Sequence, residues 1–339
     1  MRVALVSPLH ESVPPRLYGG TERVVAYLAD ELVELGHEVT LYATADSRTR
    51  ARLRAMAPQG LRLDPDCHDP QSHHVAMVAR VADDAHEFDV VHFHLDYVHF
   101  PVVRAGHLRA LTTEHGRLDI PDLKPLFREF DDMALASISD AQRCPVPCAR
   151  WVGTVYHGLP ADSLALGEGQ GGYVAFLGRV SPEKGLDRAI RIARRAGVPL
   201  RIAAKIEKLD QGYYEQAIRP LLAQPGIEFV GEIRQRDKGA FLGHAAALLF
   251  PIDWPEPFGL VQIEAMACGT PVIAYPCGSV PEIIEQGVTG AIVANEDEAV
   301  EAAGHLEAFD RARIRARFEE RFSAARMARD YLALYEALP

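Results

Sequence analysis

Two glutamates with seven residues between them stand in the stretch of the chain that is most informative about chemistry. Glu256 lies in a proline-rich turn, W-P-E-P-F-G, and Glu264 lies in the segment that follows it. This segment predicts a helix over residues 260–267 that ends at Gly269 and leads into a buried strand, P-V-I-A. Two carboxylates placed in this way can accept hydrogen bonds from the hydroxyls of a sugar.

The start of this helix is suited to an anion. The backbone N–H groups of Phe258, Gly259 and Leu260 have no acceptor within the helix, and the aligned peptide dipoles give that end partial positive charge. Such N–H groups bind phosphate or hydroxyl oxygens. Together with the two glutamates, they predict a site for a ligand that carries both hydroxyls and negative charge.

Two cations follow an earlier apolar run, in the sequence F-L-G-R-V-S-P-E-K-G. Arg179 and Lys184 lie at the junction of a predicted strand and a predicted helix over residues 184–196. Ser181 and Pro182 favour the N-cap and the first position of that helix. Two cations beside a helix N-terminus are suited to a diphosphate.

Two further segments lie at predicted strand ends in the first half of the chain. Gly19 and Gly20 follow the first predicted strand, and a pair of glycines lets the backbone approach a ligand closely. Their pattern is not G-x-G-x-x-G, so the fingerprint of a nicotinamide-binding site is missing. His115 follows the predicted strand 110–113 in the run T-T-E-H-G, so its imidazole is expected to face a ligand-binding cleft.

The run E-P-F-G-L-x-x-x-E-A-x-A-x-G-T-P-V-I-A resembles the E-x7-E motif of the retaining family 4 glycosyltransferases, which have the GT-B fold. The resemblance implies that Arg179 and Lys184 bind the phosphates of a nucleotide-sugar donor. It implies that Glu264 holds the ribose hydroxyls and that Glu256 holds the sugar hydroxyls. It also implies that His115 lies near the transferred sugar and that the glycine pair faces the donor phosphates and the acceptor.

The fold class predicted from the sequence is α/β, with two Rossmann-like parallel-sheet domains. Short apolar runs alternate with helical patterns along both halves of the chain, and strands joined by helices form parallel sheets. A polar, glycine-rich stretch over residues 158–172 separates the halves. We therefore expect an N-terminal acceptor-side domain over 1–160 and a nucleotide-sugar domain over 161–322. By the resemblance, the two domains face a central cleft, and a final helix over 323–339 crosses back onto the first domain.

The composition argues against several classes of protein. The chain of 339 residues carries 36 basic and 47 acidic side chains, and its net charge of −11 disfavours a general nucleic-acid or anionic-membrane binder. Its five cysteines are scattered and fit a reducing cytoplasm. No apolar run approaches ~20 residues, so we expect no transmembrane segment, while peripheral contact with a membrane stays open.

Metal sites receive little support from the sequence. His92 and His94 lie two residues apart on a predicted strand and therefore on one face, but zinc needs further ligands and none is spaced to supply them. Asp64 and Asp66 match the D-x-D of another glycosyltransferase fold only superficially, because they lie in a polar loop away from the strand ends. We expect no metal and no cofactor, since the nucleotide sugar is itself a substrate.

The sequence thus predicts a retaining, metal-independent hexosyltransferase that uses a nucleotide sugar, with UDP-sugars favoured, and an acceptor hydroxyl on a sugar, a small molecule or a lipid-linked compound. A nucleotide-sugar epimerase of the same fold and a catalytically silent sugar-nucleotide-binding protein are the alternatives. A retaining glycosidase also uses two carboxylates, but it has no diphosphate for the two cations to hold. The predicted catalytic residues are His115, Arg179, Lys184 and Glu256. The predicted donor-binding residues are Gly19, Gly20, Arg179, Lys184, Glu256, Phe258, Gly259, Leu260 and Glu264.

Overall fold

A computed structural model describes residues 1–16 and 19–339, and these residues divide into two compact units. The first unit comprises Met1–Pro160 together with Ala324–Pro339, and the second comprises Ala161–Ser323. The boundary after Pro160 lies within the glycine-rich stretch that was expected to separate two domains.

One parallel sheet forms the centre of the first unit. Its strands, as far as the structure describes the chain, are β1 (Arg2–Val6), β2 (Glu38–Thr44), β3 (Arg52–Ala57), β4 (Val90–Phe93), β5 (Ala110–Thr113), β6 (Leu135–Ser137) and β7 (Trp151–Thr154). They lie in the order β3-β2-β1-β4-β5-β6-β7, and every neighbouring pair is parallel. The sequence did not predict β3. It favours a strand in the run G-T-V-Y over 153–156, and the structure places that strand, β7, two residues earlier.

A second parallel sheet forms the centre of the second unit. Its strands are β8 (Val174–Arg179), β9 (Leu200–Lys205), β10 (Ile227–Gly231), β11 (Leu248–Phe250), β12 (Val272–Ala274) and β13 (Gly290–Ile292). They lie in the order β10-β9-β8-β11-β12-β13. The order reverses between β1 and β4 in one sheet and between β8 and β11 in the other. Sheets of this kind bind ligands beyond the carboxyl ends of the strands at the reversal point. The prediction of two Rossmann-like α/β domains is confirmed.

Helices connect the strands and cover the faces of both sheets. In chain order, within the residues that the structure describes, they are α1 (Gly20–Glu34), α2 (Pro70–Asp84), α3 (Phe100–Gly106), α4 (Leu123–Glu129), α5 (Asp140–Arg143), α6 (Leu186–Ala196), α7 (Gln211–Tyr213), α8 (Arg219–Leu222), α9 (Gln235–Gly243), α10 (Leu260–Ala267), α11 (Val280–Ile283), α12 (Glu296–Ala303), α13 (Arg311–Phe322) and α14 (Ala324–Ala337). Within residues 1–16 and 19–339, none of them is long and apolar enough to cross a membrane.

Helix α6 corrects one detail of the sequence analysis. It begins at Leu186, two residues later than expected, because Gly185 takes a left-handed φ of 71° and separates α6 from a short 3-10 turn, Pro182–Lys184. Ser181 precedes this turn, but its side chain makes no capping hydrogen bond. Lys184 is therefore the last residue of the turn and lies outside the helix.

The last helix, α14, belongs to the first unit, as expected. It packs against α1, and the side chains of Met327, Tyr331 and Tyr335 on its apolar face are fully buried. Two of these residues also make polar contacts beneath the helix, because the hydroxyl of Tyr331 bonds to Thr113 on β5 and that of Tyr335 bonds to a buried histidine. The helix is thus part of the core of the first unit.

Candidate active site

The sheet of the second unit places several of the predicted site residues close together. Strand β8 ends at Arg179, and the 3-10 turn that contains Lys184 follows directly. The neighbouring strand β11 ends at Phe250 and leads into the loop that carries Glu256. These residues therefore lie where the strand order reverses, which is the position expected for a ligand site in a sheet of this kind.

Lys184 and Glu256 contact each other directly. The Nζ atom of Lys184 forms an ion pair with Oε2 of Glu256, whose residue surface is only 8% exposed. The indole N–H of Trp254 donates to the same carboxylate oxygen at 3.0 Å, and Nζ lies 4.6 Å from the centre of the Trp254 ring. Two donors thus fix Oε2, and Oε1 has no hydrogen-bond partner in the described part of the chain. One oxygen of the Glu256 carboxylate is thus fixed by the protein, and the other can accept a hydrogen bond from a ligand.

Arg179 contacts two carboxylates. Its NH2 group donates to Oε1 of Glu183 at 2.6 Å, and its Nε atom lies 3.4 Å from Oδ2 of Asp210. Glu183 comes from the 3-10 turn after β8, whereas Asp210 comes from a short 3-10 turn, Lys208–Asp210, that follows β9. The sequence analysis did not identify either acid.

Helix α10 begins at Leu260, as predicted from the sequence, and Gly259 is its N-cap. Gly259 has a left-handed φ of 77°, and a Cβ atom there would lie 2.7 Å from Nε2 of Gln262. The carbonyl oxygen of Phe258 accepts hydrogen bonds from Gln262 Nε2 at 2.7 Å and from Ser279 Oγ at 2.8 Å. The amides of Gly259 and Leu260 donate to no described residue. These two amides at the helix start therefore remain able to donate to a ligand.

The turn after β12 also bonds to the loop before α10. The amide of Ser279 donates to the carbonyl oxygen of Glu256 at 3.0 Å. Gly278 takes a left-handed φ of 56°, and a Cβ atom at that position would overlap the backbone of Glu256. A larger residue at 278 would therefore push the glutamate loop away from its place. Sequence reasoning missed this support, although the C-G-S-V-P run offers a turn signal.

Glu264 is held by a lysine from another helix. Its Oε1 atom accepts from Nζ of Lys238, on α9, at 2.6 Å, and the glutamate is only 2% exposed. A carboxylate that is nearly removed from water needs such a partner. Lys238 lies 26 residues earlier in the chain, and no sequence pattern predicts its contact with Glu264.

The predicted site residues of the first unit lie at the ends of β1 and β5. Gly19 is the N-cap of α1, and a Cβ atom there would lie 2.8 Å from Pro15, so close packing alone explains this glycine. Gly20 is the first residue of the helix. Leu17 and Tyr18, the first two residues of the same predicted segment, lie outside the described residues.

His115 takes part in a cluster of imidazoles. Its Nε2 atom shares a hydrogen bond of 2.8 Å with Nδ1 of His94, and its ring stacks on that of His157 at 5.2 Å between centroids. Burial lowers the pKa of His115 to about 3. The imidazole is therefore neutral at neutral pH, and a neutral imidazole can both donate and accept a hydrogen bond.

His92 has a structural role beneath the last helix. It is fully buried, and its two ring nitrogens bond to Tyr335 Oη at 2.7 Å and to Thr113 Oγ1 at 2.8 Å. Both nitrogens are used, so His92 offers none to a metal. In residues 1–16 and 19–339 no group of three or more histidine, cysteine, aspartate or glutamate side chains is arranged to hold a metal ion.

Two family models match the chain, one in each unit. "Glycosyltransferase Family 4" matches residues 18–149, and "Glycosyl transferases group 1" matches residues 166–322. The chain belongs to the family 4 glycosyltransferases. The second match contains Arg179, Lys184, Glu256 and Glu264.

Two curated proteins of Mycolicibacterium smegmatis are similar to this glycosyltransferase. Alpha-maltose-1-phosphate synthase is 35% identical over 181 residues, which cover 48% of this chain and 47% of that protein. D-inositol 3-phosphate glycosyltransferase is 27% identical over an alignment that covers 94% of this chain and 86% of that protein. The glycosyltransferase thus aligns with about half the length of the first relative and most of the second.

Solved structures show the same fold over the whole chain. AviGT4, a glycosyltransferase involved in avilamycin A biosynthesis, is 24% identical with a TM-score of 0.75, and the match covers 99% of this chain and 97% of that one. HepE from Anabaena, in complex with UDP and glucose, is 18% identical with a TM-score of 0.77 over 100% of both chains. These likenesses show that the glycosyltransferase has the GT-B fold.

Proposed function

We propose that this glycosyltransferase moves a hexose from a nucleotide sugar, with UDP-sugars favoured, to an acceptor hydroxyl and retains the anomeric configuration. The observation that carries the proposal is the cluster of Arg179, Lys184 and Glu256 at the reversal point of the second sheet. HepE, a protein of the same fold, was solved with UDP and with UDP-glucose, which supports a uridine donor. The acceptor is a hydroxyl on a sugar, a small molecule or a lipid-linked compound.

The two cations act on the leaving group. During transfer the bond between the anomeric carbon and the diphosphate oxygen breaks, and its electron pair leaves with the diphosphate. A new bond forms between that carbon and the acceptor oxygen, and the proton of the acceptor hydroxyl is released to solvent. Arg179 and Lys184 stabilise the charge that gathers on the diphosphate, and the amides of Gly259 and Leu260 can donate to it as well. This electrostatic support needs neither a metal ion nor a cofactor.

The two glutamates divide the remaining parts of the donor. Oε1 of Glu256 accepts from hydroxyls of the transferred sugar, while Trp254 and Lys184 keep the other oxygen in place. Glu264, oriented by Lys238, accepts from the ribose hydroxyls. His115 of the first unit contributes a neutral imidazole to the transfer step. Each of these contacts involves a group that can make the hydrogen bond assigned to it.

A ligand screen followed by turnover tests this proposal. Among UDP, ADP and GDP, we expect UDP to raise the melting temperature most, since ligand at ~100 times its dissociation constant adds ~2.7 kcal/mol to the free energy of unfolding. Incubation with UDP-sugars and hydroxyl acceptors should then release UDP and form a glycoside with the configuration of the donor. Production of an epimer without acceptor would instead indicate an epimerase, and binding without turnover would indicate a silent binding protein.

Two matched variants sharpen the assignment of the glutamates. Glu264→Gln should weaken UDP and UDP-sugar alike by ~10-fold or more, because each charge-assisted hydrogen bond contributes ~1.5–3 kcal/mol. Glu256→Gln should weaken the use of UDP-sugar and leave the affinity for UDP nearly unchanged. Identical ligand profiles for the two variants would contradict this division.

A further inference from the structure

The acids around Arg179 have no part in the proposed chemistry. Arg179 pairs with Glu183 at 2.6 Å and with Asp210 at 3.4 Å, and all three side chains are partly accessible to solvent. We propose that Glu183 and Asp210 are counter-charges that weaken the binding of the nucleoside diphosphate product and so speed its release. This inference rests on the proposed function, because it assumes that Arg179 binds the diphosphate.

The charges of the cluster support this inference. Arg179 and Lys184 contribute two positive charges, while Glu183, Asp210 and Glu256 contribute three negative ones. The group is therefore net negative before a ligand arrives. These carboxylates already pair with the guanidinium of Arg179 and the ammonium of Lys184. An incoming diphosphate must therefore displace them or share the two cations with them. A site selected only for tight phosphate binding would gain nothing from such acids.

The geometry separates Glu183 and Asp210 from the third acid. Glu256 has a part in the proposed reaction, since its free oxygen can accept from the sugar. Glu183 and Asp210 contact only the guanidinium among the residues to which we assign donor binding in the described chain. They come from two different connections, one after β8 and one after β9. The guanidinium thus meets one carboxylate from each connection, at NH2 and at Nε.

The advantage of such counter-charges lies in turnover. Binding that is equally strong for substrate, transition state and product lowers KM without raising kcat. After transfer the nucleoside diphosphate retains its phosphates and gains negative charge, so cations alone would hold the product tightly. Release limits kcat in many well-evolved enzymes. Carboxylates that compete for Arg179 reduce the affinity for the product and return the guanidinium to its resting partners.

Two conservative variants test this inference. Glu183→Gln and Asp210→Asn each remove one negative charge and leave one carboxylate to orient Arg179. We expect each to bind UDP about 3- to 10-fold more tightly in calorimetry, because the lost repulsion acts over a short distance near the surface and is partly screened by salt. The dissociation rate of UDP in stopped flow should fall by a similar factor, and both effects should shrink at high salt.

The matched control is Glu215→Gln, which removes the same charge from an exposed ion pair with Arg219 at 2.7 Å in the same unit. It should leave UDP binding unchanged. A purely orienting role for the two acids predicts weaker UDP binding in their variants, and weaker or unchanged binding would overturn the inference. Unliganded melting temperatures show whether each variant folds, and either variant alone is sufficient. If the parent protein binds no nucleoside diphosphate, the proposed function itself fails.

Discussion

The two units share one sheet topology but differ in the buried polar pairs near their central strands. In the first unit such pairs join an imidazole to a hydroxyl, as in His92 with Thr113 and His99 with Thr112. In the second unit they are ion pairs, as in Lys184 with Glu256 and Lys238 with Glu264.

Burial explains the neutral chemistry of the first unit. His92 and His99 are fully buried, and burial lowers the pKa of both imidazoles, that of His99 to about 3. Uncharged hydrogen bonds of this kind are insensitive to salt. Within the first unit, His92 links β4 to Thr113 on β5 and to Tyr335 on α14. The acceptor-side role of this unit stays a prediction.

The corresponding polar pairs of the second unit are ion pairs between lysine and glutamate. Its cations remain partly accessible and paired with carboxylates, so their interactions with a ligand depend on salt and can be exchanged. A diphosphate needs such cations, whereas an acceptor hydroxyl does not. Two sheets of the same strand order thus have different polar pairs beside them, and substitutions in either unit test what each set does.

The largest expected effect comes from removing the cations of the second unit. Arg179→Ala combined with Lys184→Ala should slow donor turnover by ~10²–10⁴, because two charge-assisted hydrogen bonds are lost and about 1.4 kcal/mol corresponds to tenfold. UDP affinity in calorimetry should fall as well, while Arg219→Ala, an exposed change on α8, should leave it intact. Unchanged UDP affinity in the double variant would place the phosphates elsewhere.

The next effect concerns the acid stability of the first unit. Burial holds the pKa of His99 in the folded protein at about 3, below the ordinary histidine pKa of 6.5, so between these values only the unfolded chain binds a proton. Stability therefore rises with pH in this window and is lost as pH falls. From pH 7 to pH 5 His99 should cost about 2 kcal/mol, and His99→Gln, which keeps an amide for Thr112, should remove that loss.

Urea unfolding at the two pH values measures this difference, and the tryptophans allow it to be assigned. The chain has two, Trp151 in the first unit and Trp254 in the second, so Trp254→Phe leaves a reporter in the first unit alone. Burial raises the pKa of Glu114, whose contribution therefore has the opposite sign, but it is common to both proteins and cancels. Equal losses of stability in parent and variant would show that His99 is not held neutral.

Much of the fold could be predicted because the signals are local. Strand β5 and helix α10 have the bounds expected from the sequence, since a buried apolar run and a helix between two glycines are both marked by their own residues. The spacing of Glu256 and Glu264 is likewise a local pattern, and it indicated the segment that carries the candidate site. The pairing of α14 with the first unit was expected from the resemblance and from its apolar face.

The rest depends on contacts between distant residues. Strand β3, R-L-R-A-M-A, lies at the sheet edge and is mostly accessible, so it lacks the apolar pattern of a buried strand. The lysine partners of Glu256 and Glu264 are 72 and 26 residues away, and no local rule links each pair. Asp210 meets Arg179 only because β9 lies beside β8. Sequence reasoning named candidate binding residues, whereas the side chains that contact them come from distant parts of the chain.

The smallest expected effect tests whether the imidazole cluster of His94, His115 and His157 takes part in sugar transfer. His115→Ala should lower kcat by at least ~10-fold, about 1.4 kcal/mol of transition-state stabilisation, because a neutral imidazole that can donate and accept hydrogen bonds is lost. UDP affinity should stay within a few-fold of the parent, since Arg179 and Lys184, the cations proposed to bind the phosphates, belong to the second unit. His68→Ala, an exposed histidine of the same unit, is the matched control and should change neither quantity. A normal kcat would mean that His115 only packs against His94 and His157. A large loss of UDP affinity would mean that the first unit also binds the diphosphate of the donor. Steady-state kinetics with a UDP-sugar and calorimetry with UDP on the same variant therefore decide whether the contrast between the units is also a division of labour.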